Sequence, residues 1–155
     1  MNSITPEQFQ AFMPLTIKWA EEQECQILAN GTPLSAIELA DAVSAGITQP
    51  ERVRLLAVQQ IPMPLHPALN AAARLINLIT PNTRGLTLRY GIFIRNDWWG
   101  NRRLIVHELA HTAQYERLGG ITQFLQRYLD ECRTIGYPEA PMEQEAIEVA
   151  NRICG

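Results

Sequence analysis

The five residues His107-Glu108-Leu109-Ala110-His111 constrain this chain more than any other feature of its sequence. They lie in a stretch, Asn101 to Leu118, that contains neither glycine nor proline and stops at Gly119-Gly120, so the segment reads as one helix. At ~100° per residue the two imidazoles are only ~40° apart around the helix and one turn apart along it, within reach of a single metal ion. Glu108 falls ~60° from His111 on the same axis, beside such an ion, where a carboxylate can hold and deprotonate a metal-bound water. Two imidazoles and a carboxylate with the fourth position open suit a d¹⁰ cation such as zinc. Chance alone places this arrangement in roughly one of two hundred chains of this length. The remaining histidine, His66, stands between Leu65 and Pro67 and reads as structural.

Two histidines do not complete such a site, so a third ligand is sought among the downstream acids. Glu116 lies nearly opposite His107 on its own helix. In the last helix, which follows Pro141, residues Ala146, Ile147, Ala150 and Cys154 fall within ~60° of Glu143, whereas Glu145, Glu148 and Arg152 gather on the far side. Glu143 is therefore the acid on the apolar stripe, and a buried carboxylate is costly unless paired or bound to metal. It is the first candidate, with Glu139 and Glu145 as alternatives; the competing reading of all three is a plain acid favoured by the dipole at a helix N-terminus. The small Ala146 and Ala150 beside it allow a close approach to the histidine helix.

The rest of the chain places these helices. Thr5-Pro6-Glu7-Gln8 is a helix start, and that helix runs to Asn30-Gly31; Ser35-Ala36-Ile37-Glu38 starts a second, closed by Gly46. Val53 to Val58, bounded by Pro50 and Pro62, reads as a strand, and a helix passes through Leu69, Leu75 and Leu78. Leu86 to Arg95 alternates, with Leu86, Leu88, Tyr90, Ile92 and Ile94 on one side, and is expected to be one strand with one drier face. Gly91 within it marks a bulge or the close approach of another backbone. Helices at about 101–118, about 121–135 and after Pro141 complete an α+β fold dominated by helix. Residues 1–155 read as a single domain, with N-terminal helices and a first strand in 1–80 and the chemistry in 86–155.

Composition removes several classes. Charged residues are 19% and hydrophobic residues 46%, so a core is available. The net charge of −3 conceals three blocks of −6, +7 and −4 over residues 1–51, 52–107 and 108–155. No run of five basic residues occurs, which argues against nucleic acid as a partner. There is no signal-peptide pattern and no apolar stretch long enough for a membrane, so the expected setting is cytoplasmic. Cys25, Cys132 and Cys154 are scattered and read as plain buried thiols.

The run from His107 to Tyr115, the following Gly-Gly, the Gly136-Tyr137-Pro138 turn and then Glu143-Gln144-Glu145-Ala146 together resemble the minimal gluzincin metallopeptidases, which pair HExxH with a downstream ExxA glutamate. The membrane-bound CAAX-prenyl-protease family shares the pattern but has Asp where this chain has Ile147, and transmembrane helices besides. The resemblance covers residues 86–155. It implies a zincin-like core, His107, His111 and Glu143 as zinc ligands, Glu108 as catalytic acid/base, and hydrolysis of a protein or peptide substrate.

Such a site commonly adds a donor for the oxyanion, and Tyr137 and Tyr115 are the candidates. Gln114, ~20° from His107, is either a support for a ligand or a structural amide. The strand at 86–95 offers an edge on which an extended peptide can pair. Of Trp98 and Trp99, one is expected to face inward and one outward. Arg103 either binds a substrate carboxylate or pairs with an acidic helix. A zinc-stabilised binding module with little activity is the alternative to a peptidase, and a hydrolase of another amide is a third reading.

Overall fold

A computed structural model describes residues 4–137 and 139–155, so Pro138 of the Gly-Tyr-Pro turn lies outside the described residues. The elements in chain order are α1 (Pro6–Asn30), β1 (Thr32–Pro33), α2 (Ala36–Ser44), β2 (Arg54–Val58), α3 (Pro67–Leu75), β3 (Gly85–Leu88), β4 (Gly91–Arg95), α4 (Arg102–Leu118), α5 (Ile121–Thr134) and α6 (Pro141–Cys154). The fold is α+β and helix-dominated. No helix among the described residues is long and apolar enough to cross a membrane.

Local chemistry sets the helix ends. Thr5 with Gln8, and Ser35 with Glu38, form reciprocal capping boxes that satisfy the first free N–H groups of α1 and α2. His66 caps α3, its Nδ1 accepting from the Leu69 N–H, which is the structural role expected of it. α3 is shorter than expected: it ends at Leu75, Asn77 turns with φ 56°, and Leu78 lies beyond the helix.

The four strands form one mixed sheet in the order β1-β2-β4-β3. β2 runs parallel to β4, and β3 antiparallel to it. Leu88 and Phe93, with the partly buried Leu86 and Leu56, join Ile27 of α1 and Phe124, Leu125 and Leu129 of α5 in one apolar cluster. Leu55, Ile92 and Ile94 join Ala42 of α2 and Ile105, Leu109 and Ala113 of α4 in another. Helices thus cover both faces of the sheet.

This corrects the expected strand at 86–95. Leu88 pairs with Gly91 across a two-residue turn at Arg89-Tyr90, so the segment is a hairpin, and β4 is dry on both faces. Arg89 adopts the left-handed conformation, φ 60°, at a turn position where glycine is the usual residue. Buried Glu24 of α1 holds it: Arg89 Nε and Nη2 donate to its carboxylate at 2.9 and 2.7 Å, and the Tyr90 N–H donates at 3.0 Å. Gly91 does mark a close approach, since a Cβ there would lie 2.9 Å from the Ile27 side chain. The two-residue β1 is a further element that the sequence did not suggest. Cys25 is exposed, against expectation, while Cys132 is buried and Cys154 half-buried; all three are free thiols.

Candidate metal centre

Asn101 caps α4, accepting from the Leu104 N–H at 3.0 Å, and Gly119 closes it at φ 105°. Between those ends one face of α4 packs along α6, and Ala146 and Ala150 are fully buried there, as a close approach requires. Glu143, in the first turn of α6, is 2% exposed and points at the histidines. His107 Nε2 lies 2.6 Å from its Oε1 and His111 Nε2 3.1 Å from its Oε2. One donor atom from each of the three residues lies within 4.8 Å of the others, so His107, His111 and Glu143 could hold a metal ion.

The donor chemistry fits a divalent cation. Burial works against an imidazolium at His111, yet the hydrogen bond and charge of Glu143 outweigh it and raise the pKa to about 9. Burial likewise opposes a charge on Glu143, but His107 and His111 hold its carboxyl far below the usual range. A cation displaces the protons shared by such a trio. The imidazole of His111 is also oriented. Gln114 Nε2 donates to the Met142 carbonyl and to Glu145, both at 2.9 Å, which leaves its Oε1 to accept from His111 Nδ1 at 2.8 Å and turns the His111 Nε2 toward Glu143. Gln114 therefore orients His111 and ties α4 to α6.

Two further supports are absent from the sequence expectations. Tyr128 of α5 donates to Glu143 Oε2 at 2.8 Å. Its place one turn after Phe124 on the buried face of α5 was a legible signal, since a buried tyrosine hydroxyl needs a partner. Thr87 of β3 donates to Glu108 Oε1 at 2.7 Å and approaches the Glu108 carbonyl at 3.0 Å. Nothing local to Thr87 announces that contact.

Glu108 is buried, on the β3 side of the histidines, and Gly85 leaves room for it: a Cβ there would lie 3.1 Å from the Glu108 side chain. A cleft of about 560 Å³ opens onto His107, Glu108, His111 and Glu143, and β3 forms one wall. Comparison with protein-family models, curated proteins and solved structures returns no match. What the chain can do is accordingly read from its own side chains.

The other candidates sort cleanly. Tyr137 lines the cleft, and burial of its hydroxyl, the charges of Glu143 and Glu108 and a hydrogen bond to Glu143 raise its pKa above the usual phenol value, so it keeps its proton. Tyr115 is fully buried and commits its proton to the Thr87 carbonyl at 3.0 Å, which makes it a brace for β3. Glu139 is exposed, and Glu145 binds Gln114 and Arg117 instead of the histidines. Glu116 points away, accepting from Thr48, Gln49 and Tyr90. Trp98 packs against the core and Trp99 is exposed, one inward and one outward as expected. Arg103 finds a partner on α6, but it is the neutral amide of Asn151.

Proposed function

We propose that this chain is a zinc-dependent peptidase of the minimal gluzincin kind, with a zincin-like core in which His107, His111 and Glu143 hold the metal. The observation that carries the reading is Glu108: a buried carboxylate, steadied by Thr87, set beside a two-histidine, one-glutamate cluster and open to a cleft. A structural metal site has no need of that acid. When bound, a zinc ion supplies Lewis acidity, acidifying a water and polarising the scissile carbonyl.

The chain's own residues supply the rest. Glu108 takes the proton of the attacking water and passes it to the leaving nitrogen. Tyr137 donates to the carbonyl oxygen as negative charge grows on it. Along β3 the ladder alternates, so that Arg84, Leu86 and Leu88 bond to β4 and its extension, while Gly85 and Thr87 turn their backbone groups outward. Tyr115 occupies the Thr87 carbonyl. Among the described residues no group outside the sheet bonds the Gly85 N–H and C=O or the Thr87 N–H, which suits them to an extended peptide.

Purified protein is expected to contain about one zinc per chain. Glu108→Gln should keep the metal and lose hydrolysis, and Glu143→Ala should weaken metal binding more than Glu145→Ala. Proteome-wide cleavage profiling of wild type against Glu108→Gln then identifies the substrate. Protein that stays metal-free after reconstitution, or cleavage that survives Glu108→Gln, would overturn the proposal.

A further inference from the structure

The basic middle of the sequence is not uniformly neutralised by the fold. Arg89 is paired with Glu24, Arg102 with Asp41 and Arg95 with Asp97. Arg103 and Arg84 have no carboxylate within ion-pair distance among the described residues, and both line the cleft together with His107 and Glu108. Each is held in place by a neutral group: Arg103 donates to the Asn151 amide, and the Arg84 guanidinium lies 4.1 Å from the centre of the Trp98 ring.

The position of Arg103 makes its bare charge more telling. It stands in the first turn of α4, where the helix dipole disfavours cations. Arg102 in the same turn is compensated by a two-pronged pair with Asp41, at 2.9 Å for each contact, and Arg103 is not. Arg103 also precedes His107 by four residues, so the two are neighbours on one helical stripe. A divalent cation on His107, His111 and Glu143 would add to the positive field at this end of the cleft. A planar guanidinium already anchored by a neighbour loses little freedom when it grips a carboxylate with two parallel bonds.

We infer that Arg103 and Arg84 form an anion-binding end of the cleft that takes a carboxylate of the substrate peptide, next to the bond that is cut. This rests on the peptidase reading and narrows it to peptides with a carboxylate near the scissile bond. Such a carboxylate comes from the C-terminus or from an Asp or Glu side chain.

The test uses the zinc-loaded Glu108→Gln protein, in which probes are bound without being cleaved. Acetyl-Ala-Phe-Leu with a free carboxylate, its carboxamide, and acetyl-Ala-Phe-Asp-amide are titrated by calorimetry. The free acid is expected to bind at least about tenfold more tightly than the carboxamide, the range of a charge-assisted pair. Arg103→Gln should reduce the acid to the affinity of the amide, Arg84→Gln should reduce it in part, and Arg103→Lys should retain part of the preference. Arg152→Gln, on the exposed side of α6, should change nothing. Zinc content and thermal midpoints of each variant report whether it has folded. If the Asp peptide matches the free acid, a side-chain carboxylate serves as well as a terminus; if it matches the carboxamide, the site is specific for the C-terminus. Equal binding of acid and carboxamide, a preference that survives both Arg103→Gln and Arg84→Gln, or no binding of any probe overturns the anion site. Wild type that cleaves acid and amide peptides alike would keep the peptidase and remove the anion site, whereas selective binding without cleavage would do the reverse.

Discussion

Gln114 shows how much a single side chain can settle. Its amide nitrogen is fixed by two groups that can only accept, the Met142 carbonyl and the Glu145 carboxylate, so its oxygen must face His111. The sequence placed Gln114 on the face of His107 but could not choose between support and structure, because that choice depends on what α6 presents to it. Gln114→Leu removes the acceptor and lets the His111 ring turn. Metal affinity, measured by competition with a chromogenic chelator, should fall 10- to 100-fold, the usual effect of losing a partner that orients a ligand. An unchanged affinity would mean that Gln114 only ties helices together. Glu143 was legible for a different reason: its neighbours on the stripe are small and apolar, so its burial followed from periodicity alone. Tyr128 and Thr87 reach the site from other elements, and only the three-dimensional packing reveals them.

At the level of elements, helices were legible and the hairpin was not. Capping boxes, Gly119-Gly120 and Pro141 are local signals, and most helix bounds followed from them; α3 is the exception, because it ends at Leu75 and Asn77 takes a left-handed φ of 56°, which puts Leu78 beyond the helix expected to include it. The turn at Arg89-Tyr90 carries none of the usual glycine or asparagine. Its cause lies 65 residues earlier, in a glutamate of α1 that holds both the Arg89 guanidinium and the Tyr90 N–H. Glu24→Ala should therefore destabilise the protein by about 2–4 kcal/mol, since it leaves a buried N–H unpaired and takes away the anchor that holds Arg89 in a disfavoured conformation. Adding Arg89→Gly to Glu24→Ala should recover about 1 kcal/mol, because glycine takes the left-handed conformation without penalty. Urea unfolding of the single and double variants measures both numbers. A double variant no more stable than Glu24→Ala would show that the turn is not strained.

Across the whole molecule, the segregated charge of the sequence becomes a set of long-range ties. Acidic N-terminal helices neutralise Arg89 and Arg102 of the basic middle, and Glu116 of α4 reaches back to the segment after α2. Glu116 accepts from the Thr48 N–H at 2.8 Å, the Gln49 N–H at 3.2 Å and the Tyr90 hydroxyl at 2.7 Å, joining three distant parts of the chain. Burial opposes its charge, but the Thr48 N–H, the Tyr90 and Thr48 hydroxyls and the Gln49 N–H outweigh that and lower its pKa. The unfolded carboxyl titrates at ~4.3. A folded pKa below that value means that the stabilisation is complete above about pH 4.3 and disappears as the pH falls through the lower folded value. Glu116→Gln keeps the shape but presents an amide to donors, and should cost about 1–2 kcal/mol at pH 7. The gap between wild type and variant, followed by urea unfolding from pH 7 to pH 3, should stay constant down to about pH 4.3 and then narrow. Subtracting the variant removes the contribution of the other acids, so a gap that does not narrow would mean that Glu116 bonds to these donors equally well when protonated.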